Sequence, residues 1–279
     1  MKKNRVIIVL VVSLLFGSLH NLSAEDAAFP DKNLETLIRE ILKQKQIEKE
    51  EISDEDLDKI YFLHGDQRGI ENLTGLERCP NIAQVRLARN RIKDVTPLAQ
   101  CKNIQSLDLA ENMITDVTPL GELVKLQYLN LEDNQVTSLE AVQTLTALAS
   151  LYMDGNQVES VEPVSGLPKL SSLHLSRNRI KDIAPLGTLK WLSSLGLAGN
   201  EIEDVSPLAS LTELRFTFLQ NNKISDIKAL VEMADKDANG DQRFAPFWKL
   251  YLGGNKLDEE AQKAHIESLK KIGVRLKLE

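Results

Sequence analysis

The stretch LDLAENMITDVTPLGEL, Leu107 to Leu123, returns in the same register as LGLAGNEIEDVSPLASL at Leu195 to Leu211. Working outward from it, asparagine recurs at 90, 112, 134, 156, 178, 200 and 222, every step being 22 residues, and again at 255 after a step of 33. A fixed period of this length marks a chain built from stacked coils. Apolar residues stand five and three places before the Asn, as in Val85 and Leu87, Leu129 and Leu131, Leu151 and Met153, Leu173 and Leu175, and Leu250 and Leu252. This alternation predicts a short strand with those residues pointing inward. Two places after each Asn comes a further inward column, from Ile92 and Ile114 through Val136, Val158, Ile180, Ile202 and Ile224 to Leu257.

Each remaining column has a mechanical reading. Asp94, Asp116, Asp182, Asp204 and Asp226, alternating with Ser138 and Ser160, suit turns tied by a side chain to the backbone. Pro97, Pro119, Pro163, Pro185 and Pro207 have the fixed φ that opens a short helical turn. The Asn amide both donates and accepts, so stacked copies can satisfy backbone groups where the chain leaves the strand. One coil cannot bury its own apolar edge, so many must stack and both ends need caps. A helical stripe of Leu34, Leu37, Ile38, Ile41 and Leu42 after Phe29-Pro30-Asp31, and a second helix starting at Ser53 with Asp56 completing a capping box, form the first cap. A helix capped by Asp258 and a final strand from Val274 to Leu278 form the other.

The expected fold is α/β: a right-handed solenoid of about nine coils with a concave parallel sheet, a helical N-terminal cap and a C-terminal helix-strand cap. The predicted boundaries are 1–24, 25–61 for the first cap, 62–257 for the coils, with an insertion near 231–248, and 258–279 for the last cap. Segment 1–24 reads as an export signal: Lys2, Lys3 and Arg5, an apolar run from Val6 to Phe16, and Leu22-Ser23-Ala24 before Glu25. The chain is therefore expected in the periplasm or outside the cell, without stable membrane insertion once the signal is removed. Its net charge of −7 disfavours nucleic acid and anionic membrane surfaces as partners.

The pattern LxLxxNxIxDVxPLxxL, intact at both quoted stretches, together with Phe29-Pro30-Asp31 and its paired helices, resembles the leucine-rich repeat and cap of bacterial internalin-type proteins. The resemblance implies a concave sheet face that binds a protein.

Reading the residue between the two inward strand positions gives the expected concave column: His64, Arg86, Asp108, Asn130, Tyr152, His174, Gly196, Phe218 and Tyr251. Flanking positions add Tyr128, Glu132, Asp133, Asp154, Arg177 and Phe216. Taken singly, each also fits an ordinary solvated strand position. Together they form bands: basic at Arg86 and Arg89, acidic with tyrosines from Asp108 to Asp154, mixed at His174 and Arg177, aromatic from Phe216 to Tyr251. The expected anchors are Tyr128, Tyr152, Phe216, Phe218 and Tyr251, then Asp108, Asp133 and Asp154, with Arg86, His174 and Arg177 beside them.

Catalysis is not expected. The four histidines, at 20, 64, 174 and 265, make no zinc motif, and there is no phosphate loop, dinucleotide glycine pattern or serine elbow. No cofactor is implied. Asp235, Asp237, Asn239 and Asp241 open like a calcium loop, but position twelve is Pro246; the alternative is a polar turn in the insert, with Phe244, Phe247 and Trp248 packed over the coil edge. Cys79 and Cys101 occupy one core position in neighbouring coils, either bonded or free. The leading expectation is a monomer that recognises a protein ligand. A structural or regulatory subunit of an envelope complex and a carbohydrate binder are the alternatives.

Overall fold

The computed structural model describes residues 28–257 and 259–278. The segment 1–24 read as an export signal and Asp258, the expected cap residue, lie outside them. Helices α1 (Lys32–Gln44) and α2 (Asp54–Leu57) precede β1 (Phe62–His64), β2 (Gln84–Arg86), β3 (Ser106–Asp108), β4 (Tyr128–Asn130), β5 (Ser150–Tyr152) and β6 (Ser172–His174). Then follow β7 (Ser194–Gly196), β8 (Phe216–Phe218), α3 (Lys228–Ala238), β9 (Lys249–Tyr251), α4 (Glu259–Ile272) and β10 (Arg275–Lys277). The ten strands form one parallel sheet in strict chain order, each coil in register with the next, as Leu107 pairs Leu129 and Leu129 pairs Leu151. The molecule is a right-handed leucine-rich-repeat solenoid with a helical cap. No helix among the described residues is long and apolar enough to cross a membrane.

The inward columns form one continuous buried core running from Phe29 to Val274. Between them lies the asparagine ladder. Asn134 Nδ2 donates to the carbonyls of Leu109 (3.0 Å) and Leu131 (3.1 Å), while its Oδ1 accepts from Ile114 N (3.0 Å). Each Asn thus binds its own coil and the one before it, and Asn255 closes the series on Leu219, Leu252 and Ile224. The degenerate first coil, with Arg68 in place of Asn, is served from above: Asn90 Oδ1 accepts from Arg68 N and Ile70 N.

On the convex side, the Asp and Ser column works as expected. Asp116 accepts from Thr118 N at 2.8 Å, Ser138 from Glu140 N at 3.2 Å, and a short 3₁₀ turn opening at Thr118 carries Pro119 in its first positions. The residue just before each Asn is left-handed, a feature invisible in the repeat pattern. Gly155 and Gly199 take that conformation freely, but Arg89, Glu111, Asp133, Arg177 and Asn221 adopt it with φ between 50° and 59°.

The caps follow from side-chain chemistry. Asp31 caps α1 by accepting from Asn33 N and Leu34 N, and its other oxygen accepts from Glu71 N (2.7 Å) and Asn72 N (3.0 Å), which fastens the cap to the first coil. The capping box at α2 forms, with Ser53 N donating to Asp56 Oδ2 at 3.2 Å. Asp56 is 1% exposed and also receives Lys49 Nζ at 2.9 Å.

The insert departs from expectation. Lys228–Ala238 forms α3, which carries Asp235 and Asp237, and the expected polar turn is confined to Asn239, Gly240 and Asp241 after it. Asp237 is buried, its carboxylate accepting from the backbone amides of Arg243, Phe244 and Ala245. Helical geometry therefore replaces the alternating-oxygen loop that calcium would require. Phe244 and Trp248 pack inside as expected; Phe247 does not, and lies 55% exposed with the Arg215 guanidinium 5.3 Å from its ring centre. Trp248 Nε1 donates to Thr217 Oγ1 at 2.8 Å, so a wholly buried threonine replaces the leucine of other coils. Cys79 and Cys101 are buried and free. Burial pushes both thiols up to about 12, and Cys101 Sγ donates to the Leu76 carbonyl at 3.1 Å.

Candidate recognition surface

Three-residue strands bury their middle residue and turn both neighbours outward, so the first and third residues of every strand share the open face. Adjacent strands stand about 4.8 Å apart, which brings large rings in successive coils into contact. Tyr128 and Tyr152 have centroids 5.5 Å apart, Tyr152 and His174 5.1 Å, His174 and Phe218 6.1 Å, and Phe218 and Tyr251 4.7 Å. Five of the expected residues thereby join in one aromatic ladder from β4 to β9.

The ladder crosses β7 without a ring there, and Gly196 makes this possible. A Cβ at that position would stand 2.7 Å from His174 Nδ1, so the imidazole occupies the space a side chain would take and reaches over β7 to Phe218. His174 Nε2 lies 2.9 Å from Ser194 Oγ. Burial lowers the pKa of His174, and the nearby Asp154 carboxylate opposes that shift without overcoming it. Two of the pairs are stacked, inclined by 25° at Tyr152 and His174 and by 20° at Phe218 and Tyr251, while the other two are tilted by 42° and 45°. Phe216, in the flanking column, does not join the ladder; it is 39% exposed with Lys249 Nζ 4.8 Å from its centre.

The charged residues divide into two sets. Arg86 pairs with Asp66 at 2.8 Å and Arg89 with Glu111 at 2.7 Å, so the expected basic band is internally neutralised. Asp133 and Arg177 pair at 2.8 Å across two coils, meeting over Gly155, where a Cβ would stand 2.1 Å from Asp133 Oδ1. Asp108, Glu132 and Asp154 form no ion pair among the described residues. Burial raises the pKa of all three, and for Glu132 the neighbouring Asp154 and Asp133 charges raise it further. Asp108 accepts from Ala110 N, and Asp154 from Ser176 N at 2.6 Å. Glu132 was read from sequence as a flanking position only; its mutual placement with Asp108 and Asp154 depends on stacking. The one signal for the ring crossing was Gly196, the lone glycine of its column. Among the described residues no group of three His, Cys, Asp or Glu side chains is placed to hold a metal ion.

The family model described as Leucine Rich repeats (2 copies) matches overlapping windows from residue 80 to residue 210. Sequence comparison with curated proteins finds no match. Among solved structures, the chain is similar to an internalin of Listeria monocytogenes, inlF, with 28% identity and a TM-score of 0.77 over 90% of this chain and 76% of that one. It is also similar to internalin C2 of the same organism, with 31% identity and a TM-score of 0.68 over 74% of this chain and 91% of that one. A leucine-rich-repeat protein of Leptospira interrogans shares the fold at 19% identity and a TM-score of 0.60, over 75% of this chain and 57% of that one. With its repeats, its cap and nearly the full length of internalin C2 matched, the chain belongs to the internalin-type family of leucine-rich-repeat proteins.

Proposed function

We propose that this chain is an exported, non-catalytic recognition protein that binds another protein through the concave face of its sheet. The observation that carries the reading is the ladder of Tyr128, Tyr152, His174, Phe218 and Tyr251, lying on a sheet face that no other element of the described chain covers. Aromatic rings held in contact before a partner arrives lose little freedom on binding, and each such ring pair contributes about 0.5–1.5 kcal/mol to its own order. Ring edges and tyrosine hydroxyls suit the mixed apolar and polar surface of a protein. A sugar stacks on an open ring face, and the two stacked pairs, Tyr152 with His174 and Phe218 with Tyr251, each turn a face on one another, which supports protein over carbohydrate.

The test is affinity capture from envelope and cell-surface extracts. The chain from Glu25 onward serves as bait beside a Tyr128, Tyr152 and Phe218 to Ala variant whose fold is verified by circular dichroism. A partner retained by the parent and lost by the variant is the expected result. Equal retention by both would move the site off the concave face.

A further inference from the structure

The ladder runs from carboxylates that form no ion pair among the described residues to the exposed cations of the last strand, and this polarity constrains what lies on it. Near β3 to β5, Asp108, Glu132 and Asp154 lie by Tyr128 and Tyr152 and form no ion pair among the described residues, the nearby Arg86 and Arg177 being paired with Asp66 and Asp133. At the other end, Lys249 leans on Phe216, and Arg275 and Lys277 stand exposed on β10. We infer that the concave face takes an extended polypeptide segment running across the strands, seating a lysine or arginine of the partner among Asp108, Glu132 and Asp154 and laying apolar side chains over His174, Phe218 and Tyr251.

This deepens the recognition reading and rests on it. Three arguments support it. Charge complementarity comes first: a guanidinium or ammonium would relieve carboxylates that burial disfavours, Glu132 also being repelled by Asp154 and Asp133, and the flanking tyrosine rings attract a cation further. Size comes second: six strand spacings separate β3 from β9, about 29 Å at ~4.8 Å each, which an extended chain spans in about nine residues. Direction comes third: the cations at β9 and β10 repel the partner's basic end, so only one orientation along the ladder satisfies both ends.

The probe is a fluorescent synthetic peptide of roughly twelve residues, long enough to overhang the face, with arginines in its first third and leucine and isoleucine thereafter. A second peptide carries glutamates in place of the arginines, and both are made in forward and reversed order. Anisotropy titrations use the parent, Glu132→Lys and Phe218→Ala. The expected result is that the parent binds the arginine peptide and not the glutamate peptide, with affinity falling as salt rises. Glu132→Lys loses about tenfold or more for the arginine peptide and gains affinity for the glutamate peptide, while Phe218→Ala weakens binding of the arginine peptide without changing its salt dependence. Equal binding of both peptides by the parent, or unchanged binding by Glu132→Lys, overturns the inference. If no peptide binds while the parent still captures a folded protein that the aromatic variant loses, the extended-segment inference falls and concave-face recognition stands. Loss of both results removes both.

Discussion

The N-terminal cap and the concave face both draw carboxylates out of water, and they treat them in opposite ways. At the cap, four backbone amides converge on Asp31 and a lysine and a serine close on Asp56. The Lys49 ammonium, followed by the Ser53 hydroxyl, holds the Asp56 carboxyl well below the usual range. Burial alone would raise Asp31, but hydrogen bonds from Glu71, Asn72, Leu34 and Asn33 outweigh it and lower its pKa. On the concave face, Asp108, Glu132 and Asp154 are raised because burial is not matched by a cation. The cap uses its carboxylates to hold the fold together; the face leaves its own without an ion pair among the described residues, which is where binding capacity is expected.

The largest test of this contrast is Asp31→Ala, which removes a helix cap and leaves the Glu71 and Asn72 amides without their acceptor. Urea unfolding should show a loss of about 2–4 kcal/mol. A loss under ~1 kcal/mol would mean that the cap does not depend on its carboxylate. Next comes Gly196→Ala. Its Cβ displaces the imidazole of His174, costing about 1–2 kcal/mol by overpacking and separating the two halves of the ladder. Freed from its buried position, His174 should titrate closer to its ordinary value, read by NMR; an unmoved titration would show that the ring does not depend on the vacancy at Gly196.

Acid should separate the two regions. Asp31 and Asp56 hold protons less tightly folded than unfolded, so their stabilisation is complete above about pH 4 and is lost as the pH falls further. Asp31→Asn therefore trails the parent at pH 7, and the deficit closes in acid. Glu132 holds its proton more tightly folded, so its charge costs stability at neutral pH and acid relieves it. Glu132→Gln should match or slightly exceed the parent at pH 7, by no more than ~0.5 kcal/mol, and the advantage should vanish as the pH drops. Urea midpoints across a pH series measure both trends, and parallel curves for the two variants would erase the distinction between cap and face.

Much of the architecture was legible because the repeat is short and strict. A period of 22 residues, with apolar residues at fixed offsets from Asn, leaves few ways to bury a Leu column other than stacking. The Asp and Pro columns declared their roles because turn chemistry is local. The ladder residues were named one by one from strand alternation, yet their contacts were not, since His174 meets Phe218 across 44 positions of sequence through a gap at Gly196. The insert misled for a related reason. Asp235 to Asp241 have turn-forming composition, but packing of Leu230, Val231, Met233 and Ala234 into the core carries the helix through Ala238, leaves only 239–241 as the turn and spends Asp237 on backbone amides.

The left-handed residues before each Asn show the same division. Arg89, Glu111 and Arg177 carry no local preference for positive φ; the stacked ladder of strand and asparagine hydrogen bonds holds them there. By itself, the sequence determined the period, the inward columns, the turn chemistry and which side chains face the open sheet, because each depends on spacing within one coil. Only the tertiary structure decided which of those side chains neutralise one another, which stack, and which carboxylates form no ion pair among the described residues, because those contacts join residues in different coils, one or two apart, where geometry across the sheet governs and sequence spacing is silent.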